Sequence, residues 1–136
     1  MDAALRAAVR QRAAFRCEYC QLPQEHAPFA TFHVEHVIPR KHAGQTRLAN
    51  LALACDRCNL HKGANLTGVD PDSGAVTPLF HPRRHRWEDH FRRDEARIEG
   101  RTAIGRTTVE VLCFNAPRRL RLRARLNASG EGQATS

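Results

Sequence analysis

Four of the five cysteines in this 136-residue chain stand in two Cys-x2-Cys pairs, Cys17 with Cys20 and Cys55 with Cys58, and residues 21–54 separate them. Two thiolates three residues apart on a tight knuckle converge on one ion, and two knuckles complete a tetrahedral Zn²⁺ site with every position filled. A filled four-thiolate site leaves no place for a substrate, so the predicted zinc is structural. The N-terminal stretch MDAALRAAVRQRAAFRC lacks the long apolar core of a secretion signal. That favours metal binding over disulfides and implies a soluble, cytoplasmic protein. The fifth cysteine, Cys113, lies in the apolar run VEVLCF and reads as a small buried hydrophobe.

The length suits one domain. No apolar run approaches the length of a transmembrane helix, so no membrane is expected as partner. Lys plus Arg number 22 against 14 Asp plus Glu, a net charge of +8 that fits a polyanionic partner.

Asp2 is placed to cap a helix over residues 2–16, with Leu5, Ala8, Val9 and Ala13 as its apolar stripe. Residues 21–31, with Pro23 and Pro28, read as loop, and HVEHVIP as a short strand stopped by Pro39. Residues 41–50 are polar loop, and LALAC leads into the second knuckle. Asp56 is placed to begin a short helix that Gly63 ends. Residues 68–80 are rich in turn formers and suggest a loop or irregular hairpin. Trp87 and Phe91, four apart, suggest a helix anchored in the core. Residues 95–101 suggest a strand, residues 104–115 fit either period, and a basic helix follows Pro117.

Between the knuckles lies His33-Val34-Glu35-His36-Val37-Ile38-Pro39, followed by Asn50-Leu51 and then Cys55-Asp56-Arg57-Cys58-Asn59-Leu60-His61-Lys62-Gly63. In this order and spacing the motifs resemble the HNH (His-Asn-His) endonuclease family, and the resemblance extends to about residue 126. It implies an α+β fold: a small ββα-metal core with a four-cysteine structural zinc, an N-terminal helix and a helical C-terminal extension. The expected organisation is a single domain over 1–126, with its core at about 15–65, its extension at about 66–126 and a disordered tail at 127–136.

Hydrolysing a phosphodiester needs an activated water and charge stabilisation. His36 suits the general base, because an ordinary histidine pKa leaves it neutral at cellular pH. The resemblance implies that Glu35 and Asn59 hold a catalytic Mg²⁺ or Mn²⁺, a hard ion that favours oxygen donors. It also implies that Asn50 bonds the loop backbone and orients His36. Lys62 either approaches the phosphate or supports the metal ligand. His61 competes with Asn59, but at 100° per residue it points about 200° away while Lys62 returns to within about 60°. Asn59 and Lys62 therefore share a face. In an extended strand His33 and Glu35 face one way and His36 the other, so a site shared by Glu35 and His36 requires the strand to end there. The family more often has Asp than Glu before the histidine.

Arg40 and Lys41 beside the motif, and Arg83, Arg84 and Arg86 farther on, are the expected nucleic-acid contacts. A second arginine cluster occupies residues 118–125. The expected partner is double-stranded DNA; because a lone HNH unit cuts one strand at a time, a homodimer or partner protein also enters the reading. The competing reading is a non-catalytic, zinc-stabilised nucleic-acid-binding module.

Overall fold

The computed structural model describes residues 1–27 and 31–130. Helix α1 spans Ala3–Arg12 and opens on Asp2, whose side chain accepts from Leu5 N at 2.7 Å. Its last residue reaches across the molecule: Arg12 donates to the carbonyls of Leu48 at 2.9 Å and Leu51 at 2.5 Å. The first knuckle follows through left-handed Ala14 and Phe15. Glu18 docks the knuckle on the sheet, where its backbone N–H donates to Leu53 O and its carboxylate accepts from Leu53 N.

Strands β1 (Phe32–His36) and β2 (Leu51–Cys55) form an antiparallel pair in which Phe32 faces Cys55 and His36 faces Leu51. Every residue of β2 is buried. Helix α2 (Asp56–Lys62) takes its N-cap from Cys55, whose sulfur accepts from Cys58 N at 3.5 Å, so Asp56 is its first helical residue. The helix runs back along the hairpin, because Lys62 Nζ donates to the carbonyl of Val37 at 3.0 Å. The ββα unit thus has a cysteine end and a histidine end.

The extension is less purely helical than expected. Strands β3 (Thr67–Val69) and β4 (Val76–Pro78) form one hairpin, and β5 (Phe91–Asp94) and β6 (Arg97–Gly100) another. The helix α3 (Trp87–His90) is a single turn, and Phe91 already belongs to β5. The two rings still meet, with centroids 5.0 Å apart. Residues 104–115 resolve as helix α4 (Ala103–Val111), capped by Thr102, followed by a turn. Cys113 corrects the sequence reading. It sits in that turn at φ +53, half-exposed, while Leu112 and Phe114 on either side are fully buried. Helix α5 (Pro117–Ala128) starts with proline at its first position and takes in the first two residues of the expected tail. Ser129 and Gly130 form the turn that ends it, while residues 131–136 of that expectation and Pro28–Ala30 of the loop lie outside the described residues.

One apolar cluster joins core and extension. Tyr19, Phe80, Phe91 and Phe114 pack in a row, the first two contacts edge to face and the third tilted, with centroids 6.5, 5.1 and 5.6 Å apart. Asp70 is buried and accepts a two-pronged bond from Arg106 at 3.0 and 2.9 Å, which pins the β3–β4 side to α4. Gly105 permits the close approach of α4 to α3, since a Cβ there would meet His90 O at 1.9 Å. No helix among the described residues is long and apolar enough to cross a membrane.

Candidate functional site

At the cysteine end, the sulfurs of Cys17, Cys20, Cys55 and Cys58 all lie within 4.8 Å of one another, and all four residues are buried. A tetrahedron with Zn–S bonds of about 2.3 Å has edges of about 3.8 Å. The Cys20–Cys55 sulfur distance is 3.7 Å, so the group fits Zn²⁺. Burial holds the Cys17 and Cys58 thiols well above their ordinary range, while hydrogen bonds from Cys17, Cys55 and Cys58 bring Cys20 well below it.

A fifth residue closes this site. Arg119, on α5, donates to Cys58 Sγ at 3.0 Å and lies 3.9 Å from Cys55 Sγ. Its other nitrogen donates to the carbonyls of Leu112 and Cys113 at 2.6 and 3.1 Å. Burial works against its charge, but the sulfurs of Cys58, Cys20 and Cys55 overcome this and raise its pKa. Four thiolates around one divalent cation leave two negative charges, which a guanidinium offsets.

At the histidine end, β1 stops after His36. Glu35 is 8% exposed and turns inward toward α2. Its Oε1 accepts from the Tyr19 hydroxyl, and its Oε2 lies 3.3 Å from Lys62 Nζ. Burial raises the Glu35 pKa despite the opposing pull of Lys62 and Tyr19. Lys62 is 1% exposed, which leaves it no reach to a phosphate. It holds Glu35 and the β1 end from within, donating to the carbonyls of Val37 and, at 3.4 Å, His36.

His36 faces the other way and is half-exposed. Its Nε2 is 2.7 Å from Thr46 Oγ1. Burial, then the charges of Arg40, the N-terminus and Lys62, push its pKa down. Asn50 staples the intervening loop: its amide accepts from Ile38 N at 2.8 Å and donates to Ile38 O at 3.0 Å and Gln45 O at 2.9 Å. Gly44 lets that loop close, since a Cβ there would meet Ile38 O at 1.6 Å.

Asn59 is half-buried on α2, one turn before Lys62, and no hydrogen bond engages its side chain among the described residues. A carboxylate has about four lone-pair sites, and Tyr19 and Lys62 use two of Glu35's. Glu35 therefore keeps lone pairs to spare, and Asn59 carries an unengaged amide on the helix that holds Lys62; both are oxygen donors of the kind a hard divalent ion takes.

Of the expected nucleic-acid contacts, Arg40, Lys41, Arg84 and Arg86 are exposed. Arg83 is half-buried and ion-paired with Glu18. Tyr19, Thr46 and Arg119 escaped the sequence reading. The first sits inside a knuckle chosen for its cysteines, the second in an unpatterned loop, and the third in an arginine run whose members look alike.

Among curated proteins and among solved structures, none matches this chain. The family model of the HNH endonuclease matches residues 17–65, from the first knuckle through α2. That span holds both knuckles, His36, Asn50, Asn59 and Lys62, so residues 17–65 are what matches the HNH endonuclease domain.

Proposed function

We propose that this protein is a metal-dependent endonuclease that hydrolyses phosphodiester bonds of DNA, with His36 as general base. The observation that carries the reading is His36 itself. It is a half-exposed imidazole with a lowered pKa at the open end of a unit that matches the HNH endonuclease. In the tautomer that donates Nε2–H to Thr46, Nδ1 carries the lone pair that takes a proton from water. Asn50 holds the loop that fixes His36, and Lys62 holds Glu35. Glu35 and Asn59 would hold the Mg²⁺ or Mn²⁺. When bound, that ion neutralises phosphate charge and stabilises the departing oxygen. Arg40, Lys41, Arg84 and Arg86 offer guanidinium and ammonium groups to the DNA backbone.

The test is cleavage of supercoiled plasmid in Mg²⁺ and in Mn²⁺, wild type beside His36→Ala. Nicked or linear product from wild type alone supports the reading; equal cutting by both removes His36 as the base. One observation favours the non-catalytic module: Glu35 is sealed between Tyr19 and Lys62. That reading expects salt-sensitive DNA binding and no cutting in either metal.

A further inference from the structure

Helix α5 lies wholly outside the span matched to the HNH endonuclease and carries no acidic residue. Its five arginines divide into two rows. Arg119 and Arg123 are four residues apart and turn inward. The first grips the cysteine sulfurs; the second donates to the carbonyls of Ala96 and Phe114 and to the Asn115 side chain. Arg118, Arg121 and Arg125 are exposed. By helical geometry these three fall within about 60° of one another and at least about 100° from the inner row. They surround the small side chain of Ala124 and line a hollow of about 330 Å³. No hydrogen bond or ion pair engages any of the three among the described residues.

We propose that this outer row is a second DNA-backbone site, remote in sequence from the HNH motif, that binds phosphates along one strand of a duplex. The proposal rests on the nuclease reading for its choice of DNA. Three features support it. First, the ends of the row are about 10.5 Å apart along the helix, a span long enough to meet neighbouring phosphates of a duplex strand, which carries one charge per about 3.4 Å of axial rise. Second, guanidinium forks suit phosphate, and here they lack internal partners. Third, the row sits on a firm support, because the inner arginines bolt the same helix to the cysteine cluster and to the turn at residues 112–115. A ridge fixed in this way meets the backbone without first being ordered.

The test is fluorescence anisotropy of a duplex oligonucleotide with the full chain, zinc-loaded and without added Mg²⁺ or Mn²⁺, across a range of salt. Each lost phosphate contact on B-DNA removes about 0.9 from the slope of log K against log salt. The triple variant Arg118→Gln, Arg121→Gln, Arg125→Gln is expected to lower the slope by about 2 to 3. A control triple at the exposed Arg6, Arg97 and Arg101 removes the same charge and is expected to change it by less than half as much. Equal losses in both triples overturn the site in favour of diffuse attraction by net charge. An unchanged slope in the α5 triple, with wild-type plasmid still nicked in Mg²⁺, overturns the site and leaves the nuclease reading standing. Wild type that prefers single-stranded RNA, or binds no duplex at all, overturns both.

Discussion

The two ends of the β1–β2 hairpin differ in how completely they are assembled. At one end four sulfurs converge, every ligand is buried, and Arg119 covers the outside. At the other, His36 and Asn59 are partly exposed, while Glu35 and Lys62 are locked inside. Four register steps, about 13 Å, separate them. A metal that holds a fold must have its positions filled, whereas a site that turns over must keep positions open. Under the proposed function the difference between the ends is one of purpose, and α2 joins them: it carries Cys58, then Asn59 and Lys62.

If the cysteine end is the staple, breaking it should have the largest effect. Zinc-site peptides gain about 10–16 kcal/mol of apparent binding energy, which is also folding energy. Chelating the zinc, or Cys58→Ser, is expected to abolish the cooperative thermal transition followed by circular dichroism. A sharp transition that persists in metal-free protein would reverse the assignment of the two ends.

At the open end the expected loss is functional. His36→Ala is expected to lower the cleavage rate by about 10²–10⁴-fold, the usual worth of general-base catalysis. The melting temperature should barely move, because the ring is half-exposed and its one bond is to Thr46. A variant that unfolds would make His36 part of the scaffold.

The Glu35–Lys62 pair lies between these extremes. Its members are 8% and 2% exposed by side chain, and removing one partner of a buried pair costs about 3–5 kcal/mol. Lys62→Met is expected to destabilise by that amount in urea titrations. Lys62→Met combined with Glu35→Gln is expected to recover part of the loss, because no uncompensated charge remains buried. A cost below about 1 kcal/mol would place the pair with exposed ion pairs and loosen the histidine end.

Arg119 sharpens the comparison from the other side. Outer contacts to metal ligands are typically worth 10–100-fold in metal affinity. Arg119→Met is expected to release zinc to a colorimetric chelator that much more readily. Arg119→Lys should rescue only in part, since an ammonium lacks the planar fork that reaches Cys58, Leu112 and Cys113 together.

How much was legible in sequence follows the same division. The cysteine end is written in spacing, so its ligands can be read without a structure. The β1 and β2 strands, α2 and the Asp2 cap were equally local. What escaped depends on contacts distant in sequence. Nothing near Lys62 says that it points 25 residues back to Val37, and nothing in residues 118–125 distinguishes Arg119 from Arg118 until the helix is packed. Residues 104–115 fitted two periods, and burial of Thr107 and Thr108 decided for the helix. Cys113 departs from the sequence expectation because an apolar run need not be buried throughout, and the chain turns there.

The smallest effect tests how His36 is tuned. Its pKa is lowered by burial and then by Arg40, the N-terminus and Lys62. A general base works unprotonated, so activity should be full at neutral pH and fall as pH drops through this pKa. Because the shift is downward, the fall should centre below the ordinary histidine value of 6.5. Arg40→Gln removes one of the repelling charges, so the acid limb of kcat/KM should move up toward 6.5. Under the proposed function the exposed Arg40 also contacts the DNA backbone, and its loss should raise KM; the midpoint separates the two roles, because a lost phosphate contact alone leaves the limb in place. A limb that does not move would mean that burial alone sets the base, and that the open end is tuned by packing, as the closed end is.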